Sequence, residues 1–323
     1  MNGNPLSHQA LRFPLQRTAL RRVAALACAV SSVAVTARAA PEEEPWRPTT
    51  SGTFVTLTAP LTPAHRLTLQ PLLFVSFQRG AFDSRSHEAP LDGGAQSLSF
   101  ILFTEYGFGE HIAGGVQLSL LHNRRTLPEA SASTTGLGDG FLFARYALPI
   151  PRKGLLPELT LSVLVGLPMG RGDCLNPSKL GTDSMGSAAW EGMAGINVTE
   201  YLRPVVVHLD LLFSYAFEAA LDRVPTRPGP AFLWAASAEL PLPLPFWPHR
   251  WGLMVELSGR LQGDTRVGDE PLPDTQVREL TLGSGVEVIF SDELQVLIGY
   301  QRTFWGTNIP AVDAIGVTLV PTL

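Results

Sequence analysis

Cysteine is nearly absent: this chain of 323 residues has two, Cys28 and Cys174. Cys28 falls in an N-terminal stretch with the marks of a removable leader. One thiol would remain after processing, so no intramolecular disulfide framework can form, and a cysteine-rich zinc site is excluded with it. Long apolar runs are missing too. Beyond the leader nothing reaches the ~18 uninterrupted apolar residues of a membrane-crossing helix. Charged residues make up only 16% of the chain, against about 25% in soluble domains. Basic charge is the scarcer sign. The leader takes five arginines and no acid, leaving 19 Lys and Arg against 29 Asp and Glu, a net charge near −10. Phosphate recognition needs basic clusters, so nucleic acid is not an expected partner. His65, His87, His111, His122 and His249 show no metal-ligand spacing, and no cofactor or metal is implied.

What is present begins with the leader. Arg12, Arg17, Arg21 and Arg22 form a basic start, Val23–Val35 a short apolar core, and Ala37-Arg38-Ala39 a small-residue cleavage site. Residues 1–39 read as a signal peptide: a core of thirteen residues is too short to cross a bilayer as a helix. A secreted chain that is 45% hydrophobic and lacks a membrane helix needs another place for its apolar surface. Lipid around a closed β-barrel provides one.

The strand pattern supports this. Twelve segments alternate with a period of two: Leu67–Gln78, Gln96–Phe108, Ile112–His122, Gly138–Pro149, Glu158–Leu167, Trp190–Tyr201, Val205–Glu218, Ala231–Leu242, Trp251–Asp264, Arg278–Phe290, Leu294–Arg302 and Ala314–Val320. In the seventh, Val205, Val207, Leu209, Leu211, Phe213, Tyr215 and Phe217 share one face. Val206, His208, Asp210, Leu212, Ser214, Ala216 and Glu218 share the other. An apolar stripe backed by a mostly polar one suits lipid outside and water inside. Most segments reach the ~9–11 residues of a tilted crossing, longer than the usual strand of soluble sandwiches. The connections alternate too. Gly109–His111, Ile150–Pro157, Leu202–Pro204, Pro241–Arg250 and Ser291–Glu293 are the shorter class. Arg79–Ala95, Asn123–Leu137, Pro168–Ala189, Ala219–Pro230, Thr265–Val277 and Thr303–Asp313 are the long loops. Short turns face the periplasm in such barrels. Aromatics fall in two bands: Phe108, Tyr146, Tyr201, Trp251 and Phe290 at short-turn ends, and Phe77, Trp190, Tyr215, Phe217, Phe232, Trp234 and Tyr300 toward the long loops. Such bands match the interfacial girdles.

The expected organisation is therefore a signal peptide over 1–39, a periplasmic N-terminal segment over 40–66, and an all-β, twelve-stranded antiparallel barrel of the bacterial outer membrane over 67–323. The segment Ala40–Arg66 fits either a partial plug, built around the short alternating piece Phe54–Thr58, or a disordered tether.

Gly136-Leu137-Gly138-Asp139 opens the fourth strand, which continues Phe141, Phe143, Arg145, Tyr146. Val165-Gly166-Leu167-Pro168-Met169-Gly170 ends the fifth, and Gly181-Thr182-Asp183-Ser184 precedes Trp190. These runs resemble bacterial outer-membrane barrels associated with the meta-pathway of phenol degradation. The resemblance implies a transporter for aromatic or other hydrophobic compounds. Asp183 stands where that family tends to a small residue, and the chain ends in Leu323 rather than an aromatic. Independently of any family, Gly136 and Gly138 permit a sharp entry from the loop, and Asp139 is suited to cap that turn.

Alternation turns Glu105, Arg145, His208, Asp210, Glu218, Glu239, Glu256, Arg260, Glu287 and Gln301 inward, because an Arg facing lipid at the midplane costs about 2–4 kcal/mol. The excess of acids fits a cation-tolerant path, or a filled interior closed by a network of charges. Phe141 and Phe143 oppose Leu142, Ala144 and Tyr146, so the fourth strand is apolar on both faces. Ile101 and Phe103 do the same against Leu98, Phe100 and Leu102. The expected solute lining is Phe103, Glu105, Phe141, Phe143, Arg145, His208, Asp210, Glu239 and Glu256. Expected partners are outer-membrane lipid and a small hydrophobic solute, with the barrel a monomer. Two other readings remain: a closed structural or surface-interaction barrel, and a lipid-modifying barrel enzyme in which His208 and Asp210 would need a serine from a neighbouring strand, since Ser214 lies too far along their own.

Overall fold

The computed structural model describes residues 46–48, 50, 52–150, 156–172, 175–221, 224–242 and 250–323. The expected leader and its cleavage site, residues 40–45, Cys174, and most of the two proline-rich turns lie outside the described residues.

Alternation produces strands wherever it was read. In chain order these are β1 (Leu67–Phe82), β2 (Glu88–Gly107), β3 (Ile112–Thr126), β4 (Ser131–Leu137), β5 (Gly140–Ala147), β6 (Glu158–Leu167), β7 (Glu191–Leu202), β8 (Val205–Ala216), β9 (Ala219–Leu221), β10 (Val224–Arg227), β11 (Ala231–Leu242), β12 (Arg250–Gln262), β13 (Arg266–Val267), β14 (Glu270–Pro271), β15 (Val277–Ser291), β16 (Leu294–Thr307) and β17 (Ile309–Pro321). β4 and β5 pair with successive parts of β3 and are two halves of one strand, interrupted at Gly138-Asp139. Counted so, twelve antiparallel strands run around a ring that closes where β1 pairs with β17. Closure removes every sheet edge, as hydrocarbon surroundings require.

The distribution of side chains is inverted relative to a soluble protein. Among the largest fully buried side chains are His208, Glu239, Glu256, Glu287 and Asn197, while Phe213, Phe217, Val163, Ile298 and Ile315 are more than half exposed. On β8 the apolar stripe faces outward, and Val206, His208, Asp210, Leu212, Ser214 and Ala216 face the lumen. Glu218 lies past the end of that strand and is exposed, outside the lumen set. The aromatic bands are outward except at Tyr201. Its parity follows the buried Asn197 and Thr199, so the ring turns inward and Arg47 sits over it, 5.2 Å from the centroid.

Three of the expected long loops are strand instead. Over 79–95 the hairpin continues to Phe82↔Glu88, over 123–137 to Thr126↔Ser131, and over 303–313 β16 passes to β17 through Asn308 alone, at φ 55°. Beyond the hydrocarbon layer both faces meet water. The apolar alternation then disappears while the hydrogen-bond ladder goes on. Two other loops fold together as a small sheet, β14-β13-β10-β9.

Asp139 does not cap its own turn. Its carboxylate accepts from Gly170 N at 3.0 Å, Ser187 N at 2.6 Å and Ser187 Oγ at 2.8 Å, so it clasps both ends of the loop between β6 and β7. Within that loop Asp183 is buried, and one carboxylate oxygen accepts from Asn176 N at 2.8 Å, just before the 3-10 turn Pro177–Lys179.

Candidate functional site

The described part of the N-terminal segment occupies the barrel. Arg47 pairs with Glu158 at the start of β6, near the short-turn rim. The chain then rises to mid-lumen and returns, reaching Gly107 through a parallel bridge at Ala64. Phe54–Thr58 is not a strand; it is a bend pinned by wall side chains. Glu256 Oε1 accepts from Val55 N at 3.1 Å, Thr56 N at 2.7 Å and Thr56 Oγ1 at 2.6 Å. Thr199 Oγ1 accepts from Ala59 N at 2.9 Å, and Thr160 Oγ1 donates to Ala59 O at 2.6 Å. Glu105 accepts from Thr62 N at 2.8 Å and from Arg145 Nη1 at 2.8 Å, while Arg145 Nη2 reaches Thr58 O. Such hydrogen bonds to ionised groups contribute about 1.5–3 kcal/mol each. Several inward charges thus satisfy the backbone of a plug that would otherwise be buried unpaired.

An apolar anchor completes the plug. The register aligns Phe74, Gly316, Gly299, Gly285 and Met254 in one row across β1, β17, β16, β15 and β12. Three adjacent glycines leave a recess in the inner wall, and the ring of Phe54 lies in it. A Cβ on Gly299 would stand 2.4 Å from Phe54 Cε2, and one on Gly316 3.1 Å from Phe54 Cε1. Phe74 meets the same ring edge-on at 5.5 Å, and Leu72, Met254 and Leu297 pack around it.

The plug leaves space beside and above it. A cavity of about 970 Å³ is lined by Asp292 and Thr322 at the short-turn end, by the plug, and by Val277 and Ile309 toward the long loops. A second cavity of about 400 Å³ lies against Val55 and Leu57 of the plug, under Phe103, Phe141, Phe143, Leu164, Leu212 and Leu233. Phe103 and Phe143 stack at 4.7 Å with an interplanar angle of 10°. Arg145, Arg260, Glu279 and Gln301 line both cavities.

The sequence-derived residues therefore divide. Phe103, Phe141, Phe143, Arg145 and Asp210 line the apolar cavity. Glu105 and Glu256 hold the plug. His208 borders the larger cavity and Glu239 is buried in the wall beside it, with His208 Nδ1 2.8 Å from Thr199 Oγ1 and Nε2 3.6 Å from Glu239 Oε2. No serine hydrogen bond to His208 is found among the described residues; Ser214 donates to Glu191. Gly136 lies near the end of β4 and Gly138 in the strand break, and neither lines a cavity. The glycine recess was missed because its members lie 14 and 17 residues apart and meet only through register.

No protein-family model matches the chain, and no curated relative does. Among solved structures, an outer-membrane channel from Pseudomonas putida F1 is similar at TM-score 0.64 and 15% identity, over 81% of this chain and 96% of that one. The NanC porin aligns at TM-score 0.43 and 7% identity, over 78% of this chain and all of that one. A monoaromatic hydrocarbon channel, CymD, aligns at TM-score 0.42 and 10% identity, over 82% and 89%. The first establishes a shared fold, that of an outer-membrane barrel; the other two are too distant to carry an argument.

Proposed function

We propose that this barrel is a passive outer-membrane channel for small hydrophobic or aromatic compounds. One observation carries the reading: the larger cavity runs past the plug, with lining residues at both ends of the barrel. The apolar cavity opens on the same wall and shares Phe103, Arg145 and Arg260 with it. A solute would enter between the long loops, rest against Phe103, Phe141 and Phe143, and leave beside the plug toward the periplasm. The shared fold with an outer-membrane channel supports this reading. In this scheme Glu105, Arg145 and Glu256 set the width of the exit by holding the plug. Asp210 borders the apolar cavity, and His208 and Glu239 shape the wall beside it.

The test is influx into liposomes containing the refolded protein, comparing a labelled monoaromatic acid with a sugar of similar mass. Faster aromatic influx, slowed by Phe143→Asp, is expected. No influx of either solute through a folded barrel would refute the channel and favour a closed structural barrel.

A further inference from the structure

Two guanidinium groups line the cavities, and they differ in one respect. Arg145 is engaged by Glu105 and by the plug carbonyl of Thr58. Arg260, on the lumen face of β12, has no such partner among the described residues. Like that of Arg145, its Nε is buried without a hydrogen bond, but among the described residues no carboxylate lies within ion-pairing distance of Arg260. Its cross-strand neighbours are Leu233 and Glu279. The Glu279 carboxylate instead accepts from Thr281 Oγ1 at 3.1 Å. The other acid of the apolar cavity, Asp210, accepts from Asn197 Nδ2 at 2.7 Å. Glu105, Glu239, Glu256 and Glu287 do not line this cavity at all.

A partly buried guanidinium held in no ion pair is open to an incoming anion, and its planar fork matches a carboxylate in two parallel hydrogen bonds. Here that fork borders a space of about 400 Å³ whose other walls are Phe103, Phe141, Phe143, Leu164, Leu212 and Leu233. Such a volume is near the low end of small-molecule sites, about 300–1,000 Å³. We propose that this cavity is a binding site for small aromatic monocarboxylates, with Arg260 taking the carboxylate and the phenylalanine wall taking the ring. This deepens the channel reading by naming its solute class, and it rests on that reading only for the meaning of the binding. A neutral aromatic would fill the same space but leave Arg260 unpaired. A sugar would leave its hydroxyls facing phenyl rings.

Equilibrium binding separates the site from transport. The probe is 4-fluorobenzoate, followed by fluorine NMR against the full-length barrel folded in detergent, with 4-fluorobenzyl alcohol as the neutral control. Saturable binding of the acid is expected, at least about tenfold tighter than the alcohol. Arg260→Gln should remove that preference without changing alcohol binding, and Arg260→Lys should restore part of it. Glu279→Gln should tighten the acid by removing a nearby like charge. Heat-modified gel mobility verifies that each variant is folded. Equal affinity for acid and alcohol would overturn the proposal, as would acid binding insensitive to Arg260→Gln. So would tighter binding of 4-fluorophenylalanine that is lost in Glu279→Gln, because the site would then recognise an amino acid through both charges. Acid binding without liposome influx would refute the channel and leave the site. Influx without a preference tied to Arg260 would do the reverse.

Discussion

Removing the ring of Phe54 should release the plug and leave the barrel intact. The ring fills the recess at Gly299 and Gly316, and the strands around it are held to one another by their own backbone ladders rather than by the ring. Truncating a buried phenylalanine to alanine costs about 3–5 kcal/mol. Phe54 is 9% exposed and borders a wet lumen, so the lower end, about 3 kcal/mol, applies. At about 1.4 kcal/mol per factor of ten, Phe54→Ala should raise the undocked fraction roughly 100-fold. The readout is amide hydrogen exchange. The N–H groups of Val55, Thr56, Ala59 and Thr62 all donate to barrel side chains and are protected only while the plug is seated. Their exchange should accelerate by up to about two orders of magnitude, while amides in β8 and β12 keep wild-type rates. Unchanged exchange at all four positions, in a variant whose barrel is folded, would refute the anchoring role of the ring.

Three further outcomes are expected. Glu256→Ala removes three hydrogen bonds to the plug and should increase single-channel conductance in planar bilayers; unchanged conductance would mean the plug does not limit the path. Asp139→Ala frees both ends of the loop between β6 and β7, and limited proteolysis should then cut within 168–189 at least several-fold faster, with the barrel core still resistant. The Asp83 carboxyl titrates below its ordinary range, chiefly because the His87 N–H donates to it, with the Arg85 N–H adding to the effect. A lowered folded value means the turn is favoured above the ordinary carboxylate range and weakens as pH falls through the lower value; carbon-detected NMR titration of Asp83 should give that depressed midpoint, and an ordinary one would contradict it.

Strands were readable because lipid outside and water inside force alternation along each one. The same rule placed Glu105, Arg145, His208, Asp210, Glu239 and Glu256 on the lumen face. It failed at the ends of strands. Near 88–95 and 123–126 no hydrocarbon imposes an apolar face, and the pattern lapses while pairing continues. Tyr201 shows the complementary failure: an aromatic near a rim suggests a girdle, yet parity with Thr199 decides its direction. The plug was undecidable from sequence because the short alternation of Phe54–Thr58 does not become a strand. Its partners, Glu256, Thr199, Thr160 and Glu105, come from four distant strands. The pairing of Arg145 with Glu105, and the lack of an ion pair for Arg260 among the described residues, likewise depend on side-chain reach across the lumen, which no linear pattern records.

The seat of Phe54 straddles the seam where the first and last strands meet: Phe74 comes from β1, Gly316 from β17 and Gly299 from β16. No such seat exists on an open sheet. The plug therefore cannot find its place until the ends of the chain have joined, however early residues 46–66 emerge from synthesis. Docking becomes the final event of assembly and its certificate. An incompletely zipped barrel would stay unstoppered, and a stoppered one has, by construction, finished closing.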